Sequence, residues 1–322
     1  MSFSISRKFF TKHFPPPKFL EMPTVGLDLT DNVVRFVELR RHGTHYEVKQ
    51  YGEKQIPHGV IDDGYINDKV ELVRILSDIQ NEYGLRFIVA SLPEDKSYLF
   101  TTKIPIMAER DIRNALQFKI EENVPIALAD AIFDFKSLTI PKPGDTEIEV
   151  AVTVIHTKVV TSYLEVLHQS GLIPLRLLTE SHAIPPVIIS DGDTDTCIIA
   201  AFRPTKTIFM IVSNGIIQFT TSTSTAGRSM DEEFKKEIHA EIQKLFSYWV
   251  NKGTGIPISH ILLTGSAALL DMDAYLGRMF TVPVAVADAW KNITSLNEYV
   301  PELTRQESLD FIPALGLAMS HD

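Results

Sequence analysis

The sequence predicts an α/β fold made of two related halves. Three observations carry that expectation. A strand-turn-strand-turn-strand pattern occurs twice, over about residues 24–51 and again over 196–221. Each copy is followed by an amphipathic helix and a further strand, so the repeat includes helices as well as strands. And 322 residues, 44% hydrophobic and 22% charged, suffice to bury real cores without metals or disulfides.

The elements follow from local patterning. Thr24 to Leu29 alternates Val25, Leu27 and Leu29 and reads as a strand; the polar turn Thr30-Asp31-Asn32 leads into strands Val33 to Leu39 and His45 to Tyr51. Asp68 to Tyr83 places Val70, Val73, Leu76 and Ile79 at helical spacing and is closed by Gly84. Arg86 to Leu92 and Tyr98 to Ile104 are strands. Ile106 to Asn123 is a helix with Ile112, Ala115, Leu116 and Ile120 apolar, ended by Val124-Pro125 because a residue before proline disfavours the helical region. Ala131 to Ile140 and Glu147 to Ile155 are strands joined by Pro141-Lys142-Pro143-Gly144. Thr157 is expected to cap a helix running to Ser170, with Gly171 as its stop. Leu172 to Leu178 is a strand, followed by a short helix at Glu180 that ends by Pro185-Pro186.

The second meander then begins. Thr196 to Phe202, Thr207 to Val212 and Ile216 to Thr221 are strands, the last two joined by the hairpin turn Asn214-Gly215. Arg228 to Lys252 is a long helix striped by Phe234, Ile238, Ile242, Leu245, Phe246 and Trp249, with Ser229 and Glu232 at capping-box spacing. Ile258 to Thr264 is a strand, Leu269 to Phe280 a helix, Val282 to Val286 a strand and Pro313 to Met319 a final helix.

Composition excludes several classes. Lys plus Arg is 31 and Asp plus Glu is 41, a net charge of −10, which argues against general nucleic-acid binding. The single cysteine, Cys197, excludes a disulfide framework and argues against a cysteine zinc site. No apolar run approaches the roughly 20 residues that span a bilayer. The first 20 residues are basic at Arg7, Lys8, Lys12 and Lys18 and aromatic at Phe3, Phe9, Phe10, Phe14 and Phe19, without the apolar core of a secretory signal. They read as a frayed tail ended by Pro15-Pro16-Pro17 or as a membrane-surface arm; the absence of a clean helical stripe favours the tail.

Two α/β halves with one three-stranded meander apiece match the actin-like, sugar-kinase and Hsp70 architecture. There, the two facing strand-to-strand turns cradle phosphates with backbone N–H groups, and an Asp before the first turn orients a hydrated Mg²⁺. Gly26-Leu27-Asp28-Leu29 with Val37-Glu38-Leu39 resembles the start of the type IV pilus assembly protein PilM family. So do the block from Ala115 to Pro125 followed by Ile132-Phe133-Asp134-Phe135, Tyr163 to Gly171, Glu180-Ser181-His182-Ala183, the block from Leu263 to Leu270, and Pro313-Ala314-Leu315-Gly316-Leu317-Ala318. The resemblance covers nearly everything after residue 23, and the order of the blocks carries it more than any one of them.

The resemblance implies an actin-like, duplicated ribonuclease H-like fold. Residues 24–105 and 171–190 would form subdomain 1A, 106–170 an inserted 1C, 191–227 and 257–322 subdomain 2A, and 228–256 a reduced 2B, with 1–23 a basic and aromatic tail. It implies a cytoplasmic protein on the inner face of the inner membrane. Its partner would be the short cytosolic N-terminal tail of a single-span PilN-like protein, gripped between 1A and 1C. Ile104, Ile106, Leu116, Ile120, Val124, Pro125 and Ile126 lie near that seam; a helix of this kind also spends about half such residues on its own core. Short peptides commonly bind in an apolar groove or along a sheet edge.

The nucleotide pattern is degraded. Asp28 is present, but Thr30 takes the glycine position, where the backbone must approach phosphate closely, and Asp31 replaces a small hydroxyl donor. A carboxylate 4 Å from a phosphate charge costs roughly 1 kcal/mol in water and about 4 at an effective dielectric of 20. In the second turn, Ala201 stands where an Asp is expected and Arg203-Pro204 replaces glycine, removing a backbone donor. Gly265-Ser266-Ala267 is not a glycine run, and the region between Gly227 and Ile258 is short. The expectation is a vestigial cleft of Asp28, Thr30, Asp31, Asn32, Arg35, Glu180, Arg203, Gly265 and Ser266, in which Arg35 neutralises Asp28. Cofactors would be none, or weakly held ATP with Mg²⁺, with no turnover and no metal. The alternatives are an actin-like ATPase of the pilus platform, or a protein like GspL of type II secretion or FtsA of division.

Other chemistry is thin. Ten histidines show no HExxH spacing, and there is neither a Walker P-loop nor a G-x-S-x-G elbow. His182 beside Glu180 reads as structural. The acidic loop between Gly59 and Gly64 carries no metal signature, and Asp130 and Asp134 read as a solvated strand face.

Overall fold

The computed structural model describes residues 24–42, 45–139, 141, 144–225, 231–266, 271–294 and 299–320. The N-terminal tail and Ser229 of the expected capping box lie outside them. The first half opens with β1 (Thr24–Leu29), β2 (Val33–His42) and β3 (His45–Gln55), an antiparallel meander, followed by the short pair β4 (Ile61–Asp62) and β5 (Tyr65–Ile66). Helix α1 (Lys69–Tyr83) and strand β6 (Phe87–Leu92) come next. Asp68 caps α1 by accepting from the Glu71 N–H at 2.9 Å, and Gly84 closes it with φ +66°, a backbone state costly for any residue carrying a Cβ.

A small unit is inserted here: β7 (Ser97–Pro105), α2 (Glu109–Asn123), β8 (Ala131–Ser137) and β9 (Glu147–His156) form a three-stranded antiparallel sheet in the order β7-β9-β8. It differs from the expected 106–170 at both ends. β7 is hydrogen-bonded to β9 along its whole length, whereas α3 (Thr157–Gln169) packs Val159, Tyr163 and Leu167 into the first half's core. Helix α2 begins at Glu109, three residues later than the sequence predicts. Thr157 is the first residue of α3 and not its cap. β10 (Ile173–Thr179) completes a five-stranded sheet in the order β10-β6-β1-β2-β3. Two short helices follow, α4 (Glu180–Ala183) and α5 (Pro185–Ile188); Pro185 starts the second and so does not simply end the first, its fixed φ suiting a first helical turn.

The second half repeats the plan. β11 (Thr196–Phe202), β12 (Lys206–Ser213) and β13 (Ile216–Ser224) are the second meander, turned at Asn214 and Gly215 with φ of +53° and +68°. Helix α6 (Glu232–Asn251), β14 (His260–Thr264), α7 (Met272–Met279) and β15 (Val284–Val286) give a sheet in the order β13-β12-β11-β14-β15. Each strand has its counterpart in the first sheet: two strands joined by antiparallel pairing on one side of the leading strand and two joined by parallel pairing on the other. Asp231 caps α6, accepting from the Phe234 N–H at 2.9 Å. Helices α8 (Arg305–Asp310) and α9 (Ile312–Met319) end the chain's described part. Sequence patterning missed α8, although Thr304 and Glu307 form a reciprocal capping box there.

The halves share an apolar seam in which Val37 and Leu39 of β2 meet Ile199, Ile208 and Met210 of the second meander and Ile312, Ala314 and Leu315 of α9. Helix α9 fits because two glycines let backbones touch. A Cβ at Gly26 would lie 1.9 Å from the Ala314 carbonyl oxygen, and one at Gly316 would lie 1.7 Å from that of Ala183. Gly316→Ala is therefore expected to destabilise the fold by about 1–3 kcal/mol, the usual cost of overpacking, read as a lower urea midpoint.

Candidate functional site

The cleft between the halves is lined by the two equivalent turns. The β1–β2 turn is closed by its own atoms: the Thr30 N–H donates to the Val33 carbonyl at 3.0 Å, and the Thr30 hydroxyl donates to the same oxygen at 2.8 Å. Asp31 accepts from the Gly64 N–H at 3.1 Å; burial pushes its carboxyl up, against the pull of that hydrogen bond. Exposed Asn32 uses its carbonyl to accept from Ile56 at 2.7 Å. In the β11–β12 turn the Arg203 N–H donates to Lys206 at 2.8 Å. The Thr30 and Arg203 N–H groups, one backbone donor at each turn, are thus spent inside the turns.

What fills the cleft is a buried ionic network with acids from the first half and bases from the second. The Arg203 guanidinium reaches from the end of β11 to the Asp28 carboxylate on β1, and its Nε donates to Glu180 on α4 at 3.1 Å. Side-chain exposure is 3% for Arg203 and 1% each for Asp28 and Glu180. Lys206 Nζ lies 2.8 Å from Glu180 and 2.7 Å from Asp95, and Asp95 also accepts from the Ser222 hydroxyl at 2.6 Å. Burial opposes the charges of Arg203, Lys206, Glu180 and Asp95, but their partners prevail. Arg203 is held above its ordinary value by Asp28 and Glu180, Lys206 by Glu180 and Asp95, and Glu180 is held below by Lys206 and Arg203. Glu94 is the contrast: buried and accepting from the Ser181 N–H at 3.0 Å, it is pushed up by desolvation.

This arrangement corrects the expected pairing of Asp28 with Arg35. Although the two are cross-strand neighbours in register, Arg35 donates to Glu53 at 2.9 Å and lies over the Phe311 ring at 5.7 Å. Cross-strand partners of opposite charge pair only when neither has a better site, and Arg203 offers Asp28 a drier one. Of the predicted cleft residues, Asp28, Glu180 and Arg203 come together; Lys206, Asp95, Glu94 and Ser222 were missed. The signal was present: Arg203 and Lys206 are two cations flanking a turn between otherwise apolar strands, and Glu94-Asp95 follows a buried strand.

Gly265 and Ser266 serve packing. A Cβ at Gly265, φ +92°, would lie 2.1 Å from the Phe202 carbonyl, and the Ser266 N–H donates to Asp310 at 2.8 Å. Residues 267–270 of the expected adenosine segment lie outside the described residues. The recess lined by Ala201, Arg203, Gly265 and Pro313 has about 0 Å³ of room for even a water-sized molecule, against the ~300–1,000 Å³ of ligand pockets. A Mg²⁺-orienting role does not fit an Asp28 carboxylate engaged by a buried guanidinium.

The expected peptide groove is corrected as well. Ile104, Leu116, Ile120, Val124 and Ile126 are 0–7% exposed and form the core of the inserted unit with Val150, Val152 and Val154. They face their own sheet, because α2 has one apolar stripe and the sheet claims it. Ile106, at 44%, and Pro125 are exposed; the large apolar side chain that α2 presents outward is Phe118, 74% exposed. The remaining candidates are structural: Cys197 is buried, its thiol pushed up to about 12 by desolvation, and Asp134 is an exposed partner of Arg113 at 3.6 Å. Among the described residues no helix is long and apolar enough to cross a membrane.

Comparison with known proteins accounts for this architecture. The structure is similar to that in a PilM–PilN type IV pilus biogenesis complex, with a TM-score of 0.79 and 17% identity over 94% of this chain and 98% of that one. It is less similar to the cytoplasmic domain of EpsL, an inner-membrane component of the type II secretion system of Vibrio cholerae (TM-score 0.51, 14% identity, 90% and 94% covered). The ethanolamine utilization protein EutJ from Carboxydothermus hydrogenoformans stands close behind (0.50, 14%, 94% and 91%). The family model for the type IV pilus assembly protein PilM matches residues 26–238, more than half of the sequence. The duplicated sheets, the inserted unit and that match together make this chain a member of the PilM family, with an actin-like fold.

Proposed function

We propose that this protein is a cytoplasmic adaptor on the inner face of the inner membrane, peripheral to it, that binds the cytosolic N-terminal tail of a single-span PilN-like protein and does not turn over ATP. The buried Arg203 contact to Asp28 and Glu180 carries the absence of turnover, because it puts a side chain of the protein where nucleotide chemistry would need a free carboxylate. Family membership and the likeness to a structure from a PilM–PilN complex support the adaptor role. Since the seam's aliphatic residues are core, the tail would be held by side chains that remain outside, Phe118, Ile106 and Pro125.

The test is titration of the chain with a synthetic PilN-type tail. Binding of micromolar class is expected, about −8 kcal/mol. Phe118→Asp should weaken it at least tenfold with an unchanged melting temperature, because exposed aromatic anchors dominate such contacts. No binding by the wild type would sink the adaptor reading. In the same preparation, phosphate release from Mg²⁺-ATP should equal the buffer rate; release abolished by Asp28→Ala would restore the ATPase alternative.

A further inference from the structure

The geometry points to a divalent transition-metal site at the tip of the first meander, built from His42, His45 and Glu47. We propose that this hairpin binds one Zn²⁺, or a neighbour in ligand preference such as Ni²⁺ or Cu²⁺, through two imidazoles and a carboxylate.

The placement follows from strand register. His42 and His45 are directly opposed cross-strand partners, the last residue of β2 and the first of β3. Opposed residues share a face, with Cβ atoms about 4.5–5.5 Å apart. Glu47 is two residues beyond His45 on the same strand, and side chains alternate with a period of two, so it shares that face too. The two rings stand 5.3 Å apart between centroids, inclined at 52°, and one ligand atom from each of the three residues lies within 4.8 Å of the others. A tetrahedral zinc ion with bonds of about 2.0–2.1 Å needs its ligand atoms about 3.3 Å apart. That closure is within reach of side-chain rotation on a fixed backbone.

The donor set selects the metal class. Two nitrogens and one oxygen suit zinc, nickel and copper, whereas calcium and magnesium want oxygen alone. Three protein ligands leave a fourth position open. The backbone is held for the purpose: the Tyr46 N–H donates to the Ile293 carbonyl at 2.7 Å, the Tyr46 ring packs against the seam between the halves, and the Tyr299 hydroxyl donates to the Val48 carbonyl at 3.2 Å. A metal here would stiffen a place where the first meander's hairpin meets the C-terminal segment of the second half. Arg40 stands opposite Glu47 in the register and competes for its carboxylate. This sets the affinity below that of a closed structural zinc site. Sequence spacing concealed the site, because His42-x-x-His45 is no recognised ligand motif and only the cross-strand pairing aligns it.

The experiment is calorimetric titration of the untagged full chain with Zn²⁺, with Mg²⁺ and Ca²⁺ as controls, and the Co²⁺ absorption spectrum as a readout of coordination. One equivalent of zinc is expected, with no heat from the hard cations and the intense visible bands of a low-coordinate Co²⁺ site. His45→Ala should weaken binding at least tenfold, and His42→Ala with His45→Ala should remove that equivalent and the Co²⁺ bands. His168→Ala, an exposed histidine on α3, should change nothing. Circular dichroism establishes that each variant is folded, and as a second variant Glu47→Gln, which preserves shape, should weaken binding several-fold. Undiminished zinc binding by the folded double variant, or none by the wild type, overturns the proposal.

Discussion

Arg203→Ala is expected to cost about 3–5 kcal/mol of stability, the usual penalty for removing one partner of a buried ion pair. The loss should be that large because the two acids are not equally insured. Glu180 keeps Lys206 at 2.8 Å, but among the described residues Asp28 pairs with Arg203 alone, and its second oxygen is already buried without a hydrogen-bond partner among them. The variant would leave a carboxylate in a dry cleft, and that group must then take a proton or draw in water. Asp28→Ala should be milder, about 1–3 kcal/mol, since Arg203 keeps Glu180. The double variant should therefore cost clearly less than the sum, and chemical denaturation of all four proteins gives the coupling directly. An Arg203→Ala protein within about 0.5 kcal/mol of wild type, the scatter expected of a neutral surface change, would show that the network does not hold the halves together.

The same network shows what one sequence can and cannot disclose. The repeat was legible because it is written in local periodicity. Cys197 to Phe202 and Thr207 to Val212 are apolar at nearly every position, and Asn214-Gly215 supplies the positive φ values a two-residue hairpin requires. The degraded phosphate turns were legible for the same reason, as residues of the wrong type at fixed offsets. Which acid meets which base was not, because pairing is a long-range choice. Arg203 and Asp28 are 175 residues apart, and nothing local says that Arg35, opposite Asp28 in register, turns instead to Glu53. The groove failed for a related reason: the stripe Ile112, Leu116 and Ile120 reads identically whether it faces its own sheet or a peptide. The bounds of the inserted unit moved because β7 and β9 pair along nine residues, a match that neither strand displays alone.

Acid should destabilise the protein through His182 well before it reaches the carboxylates of the cleft. The His182 ring shares a 2.7 Å hydrogen bond with the Thr179 hydroxyl; burial lowers it to about 4, with the charge of Lys136 acting the same way and Asp134 opposing. The unfolded chain takes a proton on this ring near pH 6.5, the folded chain only near 4. Between those values the unfolded state binds more protons, so stability falls as the pH falls, by at most about 3 kcal/mol across the window at about 1.36 per pH unit. Glu180 and Asp95, held below their ordinary values, add a loss of the same sign only at lower pH, starting as the unfolded chain's carboxyls protonate and complete once the folded groups do. Glu94 and Asp31, pushed up, act in the opposite sense above the ordinary carboxylate range and partly mask the histidine. The comparison that isolates it is His182→Gln, which retains a hydrogen-bonding group near Thr179 but cannot titrate. Urea midpoints measured every half unit from pH 7 to 4 should fall more steeply for wild type than for the variant. The divergence should begin near pH 6.5, where the unfolded imidazole first charges. Parallel curves would mean that the folded protein protonates His182 as readily as the open chain does, and that the ring is wetter than its surroundings indicate.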